Sequence, residues 1–217
     1  MSKLEIDSVQ LAFEGRTILS NVFLKCETGD IVGILGRNGS GKSSLLRLIF
    51  GTLKADSQSV RVDGIYTNQL YTIKKAVHYV PQDGLFMNYL TFKDLVEIFE
   101  LGTKLDQMLE VEELRDSQNT KIGNMSGGVK KMVEILTLLY ADSEFTLLDE
   151  PFSYLSPVLV EKVIPHLIHQ SKSKGIIMTD HQYQTIWSTA NKYYVLYEGN
   201  LREIFEIEEL SKYGYIR

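Results

Sequence analysis

Ile31-Val32-Gly33-Ile34-Leu35-Gly36-Arg37-Asn38-Gly39-Ser40-Gly41-Lys42-Ser43 joins an apolar run to a glycine-rich loop. Short apolar runs of this kind form strands buried on both faces, as in parallel sheets. From Gly36 to Ser43 the residues fit G-x-x-x-x-G-K-[ST], and a helix is expected to follow as far as about Phe50. The glycines at 36, 39 and 41 let the backbone turn. Its N–H groups, those of Asn38 and Ser40 included, can then face phosphate oxygens. The helix adds its positive N-terminal end at the same place. Lys42 supplies a point charge for the β and γ phosphates, and the Ser43 hydroxyl can ligate Mg²⁺. The loop is thus read as a site for a nucleoside triphosphate with Mg²⁺.

Two further apolar runs end in polar residues: Phe145–Leu148 in Asp149-Glu150, and Ile176–Thr179 in Asp180-His181. In parallel sheets, ligands gather at the carboxyl ends of strands. The expected fold class is therefore α/β, a P-loop core on a mostly parallel sheet. Asp149 fits the place of a hard carboxylate for Mg²⁺, and Glu150 that of a base polarising the attacking water. Three residues stay open at this level. His181 can be structural or catalytic, Gln82 can be an ordinary loop residue, and Phe13 can stack on an adenine ring or fill a core.

Outward from the loop, residues 3–30 alternate apolar and polar side chains and read as an antiparallel β portion. Phe92, Leu95, Val96 and Phe99 follow helical spacing after Thr91 as N-cap, and Met132, Ile135, Leu136 and Leu139 do so after Ser126. The expected organisation is a single domain over 1–217. Its core is 1–82 and 125–217, with a small helical subdomain at about 83–124. Ser126-Gly127-Gly128 gives the second helix a bare N-terminus, either an ordinary cap or a second anion site. Two anion sites in one such chain suggest that two chains share two nucleotides.

Composition bounds the rest. A net charge of −5, with both signs interspersed, excludes a clustered basic face for nucleic acid, and Lys130-Lys131 reads as a solvated helix face. One cysteine, Cys26, excludes an internal disulfide and reads as a small buried hydrophobe. The first residues lack an apolar leader, and no window reaches the ~18 apolar residues of a spanning helix. The expected location is cytoplasmic, at the inner face of the cell membrane through a partner.

In order and spacing, these residues resemble the nucleotide-binding domains of ABC transporters over nearly the whole chain. The matching segments are an aromatic at Phe13, the Walker A loop at Gly36–Ser43 and the Q-loop glutamine at Gln82. The LSGGQ motif appears as Met125-Ser126-Gly127-Gly128-Val129, Walker B as Phe145–Asp149, with Glu150 as catalytic glutamate and His181 as switch histidine. The resemblance implies ATP as substrate, with Ser43, Gln82 and Asp149 at the Mg²⁺ and Lys42, Glu150 and His181 as catalytic residues. It implies a head-to-tail dimer with a second copy or a paralogous ATPase subunit, in which Ser126 and Gly128 of one chain complete the other's γ-phosphate site. It further implies an integral-membrane permease gripped by the helical subdomain.

Three residues depart from the pattern. Val129 replaces a glutamine and removes a polar contact across the dimer. Ser156 replaces an aspartate that serves communication between subunits, and Ser44 replaces a threonine while keeping the hydroxyl. Met178–His181 and Asp149–Phe152 are similar to the ATPases of lipopolysaccharide export and branched-chain amino-acid uptake, although the stretch from Gln82 to Ser126 is short for those groups. The alternatives are a soluble ABC ATPase in an assembly role, such as iron–sulfur cluster biogenesis, and a non-hydrolysing ATP sensor resting on Val129 and Ser156.

Overall fold

The alternation at the start of the chain forms two long antiparallel strands, β1 (Lys3–Phe13) and β2 (Arg16–Glu27), with Lys3 opposite Glu27 and Phe13 opposite Arg16. The computed structural model describes residues 1–215. After β2 come β3 (Ile31–Leu35) and α1 (Lys42–Phe50), as the apolar run and the loop require. The antiparallel portion then resumes, beyond the expected 3–30, with β4 (Ser57–Val62) and β5 (Ile65–Thr67). Asp63 and Gly64 between them have φ of 50° and 81°, the left-handed pair whose twist suits a two-residue hairpin. The resulting sheet has the order β2-β1-β4-β5.

Strand β6 (Val77–Val80) leads into a stretch of short helices: α2 (Phe92–Ile98), α3 (Leu105–Met108) and α4 (Glu112–Asp116). A reciprocal cap starts α2, since Thr91 Oγ1 accepts from Asp94 N–H while Asp94 Oδ2 accepts from Thr91 N–H at 2.7 Å. Next come α5 (Gly127–Tyr140), β7 (Phe145–Asp149), α6 (Pro157–Ser171), β8 (Gly175–Thr179), α7 (Tyr183–Thr189), β9 (Lys192–Tyr197) and β10 (Asn200–Ile204). The second sheet has the order β10-β9-β3-β8-β7-β6, parallel throughout except for β10.

The parallel sheet is buried on both faces. Val32, Ile34, Leu147 and Ile177 join the core that α1 shares with the antiparallel sheet, whereas Ile31, Leu35, Leu148 and Met178 join the core under α5 and α6. In α5 the positions Met132, Ile135, Leu136 and Leu139 are fully buried. Each such side chain contributes about 1.5–3 kcal/mol. Gly127 and Gly128 cost about 1 kcal/mol each relative to alanine. Docking on the sheet, rather than local propensity, therefore holds this helix.

Candidate functional site

The loop between β3 and α1 takes the shape its glycines allow. Gly39 and Gly41 have φ of 79° and 106°, and a side chain at Gly36 would stand 2.6 Å from Ser40 Oγ. Lys42, 4% exposed, lies across this turn and donates from Nζ to the carbonyls of Gly36 (2.8 Å) and Arg37 (3.4 Å). Burial lowers its pKa from the usual lysine value, and the carboxylates of Glu150, Asp149 and Asp180 work in the opposite direction. The Ser40 hydroxyl is buried without a protein partner. Such an orphaned hydroxyl suits a phosphate group, whereas the Ser40 N–H, expected to face phosphate, donates to the Arg37 carbonyl at 3.1 Å.

At the head of β7 the Asp149 carboxylate is held from both sides. Oδ1 accepts from Ser43 Oγ at 3.0 Å and from Thr179 Oγ1 at 2.9 Å, while Oδ2 accepts from Tyr79 O–H at 3.0 Å. A hydroxyl and a single fixed carboxylate fit Mg²⁺, which binds through one or two carboxylates plus phosphate oxygens. Among the described residues no cluster of three His, Cys, Asp or Glu side chains could hold an ion by itself.

Glu150 follows with φ of 46°, a left-handed conformation that costs a non-glycine residue of order 1–3 kcal/mol. Its N–H donates to the Thr179 carbonyl at 2.9 Å, which anchors the bend. Oε2 accepts from Gln82 Nε2 and from Ser153 Oγ, both at 3.0 Å. His181 Nδ1 stands 3.7 Å from the same Oε2 and 3.5 Å from Asp180 Oδ1, with its side chain half exposed. Asp180 is fully buried, accepts the N–H groups of Phe152 and Gln182, and has its pKa raised by burial.

Phe13, Asn38, Gly39, Gly41, Lys42, Ser43, Ser44, Gln82 and Glu150 line one cleft of about 450 Å³. Phe13 is 47% exposed and stands at its wall, so its ring is free to stack on a base and does not fill a core. Ser126, Gly127 and Gly128 do not line this cleft. Ser126 caps α5 by accepting from Val129 N–H at 3.4 Å, and Gly127 has open space around its α-carbon. A side chain at Gly128 would meet Leu159 at 2.9 Å, so that glycine also serves packing within the chain. Val129 packs on the core beneath α5. Ser156 caps α6 through Leu159 N–H at 3.4 Å, just before Pro157.

One expectation is overturned. Lys131 does not lie on a solvated face: it is 3% exposed and donates from Nζ to the carbonyls of Pro81 and Gln82. A pair of adjacent lysines on a helix points about 100° apart, so one reaches solvent while the other turns inward. Sequence reasoning also missed Tyr79, Thr179, Ser153 and Tyr215. Tyr215 O–H lies 3.4 Å from the Gly36 carbonyl and 3.1 Å from that of His181. Thr179 and Ser153 sit beside recognised residues, and that adjacency was the one available signal.

A Walker-type loop at the head of a parallel strand, with a fixed carboxylate and a strained glutamate at the head of the next strand but one, defines a P-loop nucleoside triphosphatase. A family model described as ABC transporter matches residues 19–153, more than half of the chain. The chain belongs to the ABC transporter family. It is an ATP-binding subunit of that family, whose general activity is ATP hydrolysis. The ABC transporter ATP-binding protein YtrB of Bacillus subtilis (strain 168) is 29% identical over 217 residues, covering 96% of this chain and 74% of that protein. The lipopolysaccharide export system ATP-binding protein LptB of Escherichia coli (strain K12) is 27% identical, covering 93% of this chain and 89% of that protein. A solved ATP-binding subunit of an ABC transporter superposes with a TM-score of 0.84 at 20% identity, covering 98% and 93% of the two chains. A nucleotide-free ATP-binding cassette gives 0.83 at 24% identity, covering 100% and 96%. These two likenesses establish the fold.

Proposed function

We propose that this chain powers a membrane permease by hydrolysing ATP at a site completed by a second subunit, and that Lys42, Glu150 and His181 carry the catalysis. The observation that carries the reading is the gathering of Lys42, Ser43, Gln82 and Glu150 around one cleft, with Asp149 bonded to Ser43 at its edge. Gly36 to Ser43 cradle the phosphates, and Phe13 stacks on the base. Ser43, Asp149 and Gln82 would hold Mg²⁺, which would neutralise charge on the phosphates.

Glu150 takes the proton of the attacking water as the new bond to the γ-phosphorus forms. The bond from that phosphorus to the bridging oxygen breaks, leaving ADP and inorganic phosphate. Its Oε2 is fixed by Gln82 and Ser153. A base held within reach of its proton is worth about 10²–10⁴ in rate. His181, whose Nδ1 stands 3.7 Å from Glu150 Oε2, holds the γ-phosphate and Glu150 in register. Ser126 and Gly128, away from the chain's own cleft, serve the nucleotide of an opposing copy or paralogue in a head-to-tail dimer.

The helical segment at about 83–124 grips the permease, which places the chain at the cytoplasmic face of the membrane. Among the described residues no helix is long and apolar enough to cross it. YtrB and LptB both carry the names of transporter ATP-binding proteins, which favours transport over an assembly role. Glu150→Gln is the test. ATP affinity is expected to stay within about threefold while turnover falls by at least about 10² and an ATP-bound dimer accumulates. Wild-type turnover in that variant would remove Glu150 from the role of base.

A further inference from the structure

Three side chains of α5 hold the loop that carries Gln82. Lys131 Nζ donates to the Pro81 carbonyl at 2.5 Å and the Gln82 carbonyl at 3.1 Å. One turn further, Glu134 Oε1 accepts from Leu85 N–H at 2.8 Å. At the rim, Lys130 Nζ donates to Asn88 Oδ1 at 3.2 Å. Lys131 and Glu134 are only 3% and 1% exposed, and neither takes part in the chemistry above. Burial lowers the pKa of the first and raises that of the second. Burying an ion costs several kcal/mol. Packing at these positions could have been met by apolar residues. What a lysine and a glutamate add is a directional grip on backbone groups of a segment without regular structure.

The same helix is capped by Ser126, and near the start of the same loop a side chain touches the proposed base, Gln82 Nε2 to Glu150 Oε2 at 3.0 Å. A rigid helix thus joins two places. In the head-to-tail dimer proposed above its head would face the nucleotide of the opposing subunit, and its second turn fixes the backbone of a residue in this chain's own cleft. We propose that Lys131 and Glu134 make α5 and the Gln82 loop one mechanical unit, so that ATP on the opposing protomer sets Gln82, and through it Glu150, in this one. This rests on the head-to-tail dimer and adds the element that couples its two sites. Lys131 and Glu134 act as positioning residues, because neither touches substrate.

The experiment uses a mixed dimer. One chain carries Lys42→Ala, which disables its own nucleotide loop, and an environment-sensitive label on Met87→Cys. Position 87 is 60% exposed, and the native Cys26 is fully buried, so the label goes to one place. The unlabelled chain carries Glu150→Gln and holds ATP. Adding ATP is expected to shift the label's signal. With Lys131→Met in the labelled chain the shift is expected to fall at least about fivefold, the low end of ordinary coupling between sites. Lys131→Arg, which keeps the donors, restores it. Melting temperature and dimer yield are measured for each chain, and Glu134→Gln provides a milder second variant expected to reduce the shift partially. If the dimer forms and the shift is the same with Lys131→Met, or is absent with native Lys131, the coupling is overturned while the dimer reading stands. If ATP brings no dimer together, the dimer reading falls and the coupling with it.

Discussion

At the scale of single residues, the site is a set of oxygens held where free rotation would otherwise scatter them. Thr179 shows this best. Its hydroxyl donates to Asp149 Oδ1, and its carbonyl accepts the N–H of Glu150, so one side chain and its own backbone steady both carboxylate residues. Thr179→Val keeps the shape and removes the hydroxyl. Losing one buried hydrogen bond costs about 1–3 kcal/mol where the partner is left unsatisfied. Turnover is therefore expected to fall about tenfold with ATP affinity little changed, and Thr179→Ser should recover most of it. Steady-state kinetics with a nucleotide-binding titration decides the matter. Equal loss of turnover in the serine variant would show that the methyl group matters instead of the hydroxyl. The recognised polar residues were legible because the chemistry forces their type and spacing. Thr179 was not, since its place beside Asp180 and His181 gives no sign that its hydroxyl turns toward Asp149 on the neighbouring strand.

At the scale of elements, the C-terminal end of α5 is secured by two lysines from elsewhere. Lys174 Nζ donates to the carbonyls of Leu139 and Ala141, both at 2.8 Å, and Lys104 Nζ donates to that of Tyr140 at 2.7 Å. These satisfy acceptors that a helix end leaves open, with positive charge where the helix dipole is negative. Burial, with Lys104 nearby, pulls the Lys174 amine down to about 7. The sign follows from linkage. Between about pH 7 and 10 the unfolded chain keeps a proton that the native chain gives up, so this group's contribution to stability rises with pH. Lys174→Met is expected to lower stability at neutral pH by about 1–3 kcal/mol through the open carbonyls. It should also flatten the rise in melting temperature between about pH 7 and 9. Thermal unfolding across that range checks both. A wild-type pH slope in the variant would place the titration elsewhere. The periodicity of α5 was readable, because burial of one face leaves a repeat; these tethers were not, because they come from positions 36 and 35 residues away in the chain. The hairpin of β4 and β5 was equally missed, although Asp63-Gly64 between Val60, Val62 and Ile65 carried a hairpin signal.

At the scale of the whole molecule, the two sheets and α5 bring separate stretches of chain to one face, while the apolar side chains that stay in solvent have their own distribution. Leu85, Met87 and Tyr89 are 36%, 60% and 64% exposed, and all three belong to the segment that begins directly after Gln82. Large apolar side chains grouped in the open mark a contact with another protein or a membrane. The permease proposed above is the partner that this surface would meet. The position also has a mechanical sense, because the backbone that would meet the partner is the one gripped by Lys131 and Glu134. Met87→Asp with Tyr89→Asp puts two charges on that surface without touching a buried residue, and surface changes of this kind usually alter stability by no more than about 0.5 kcal/mol. The double variant is therefore expected to melt and to bind ATP like the wild type, and to lose at least about tenfold in recovery with membrane fractions, the effect of a 1.4 kcal/mol loss in contact. Co-sedimentation with membranes from cells expressing the full transporter, beside the same assay on detergent-solubilised complexes, reads it directly. Undiminished recovery would move the permease contact off this loop, and the exposed apolar residues after Gln82 would then need another partner.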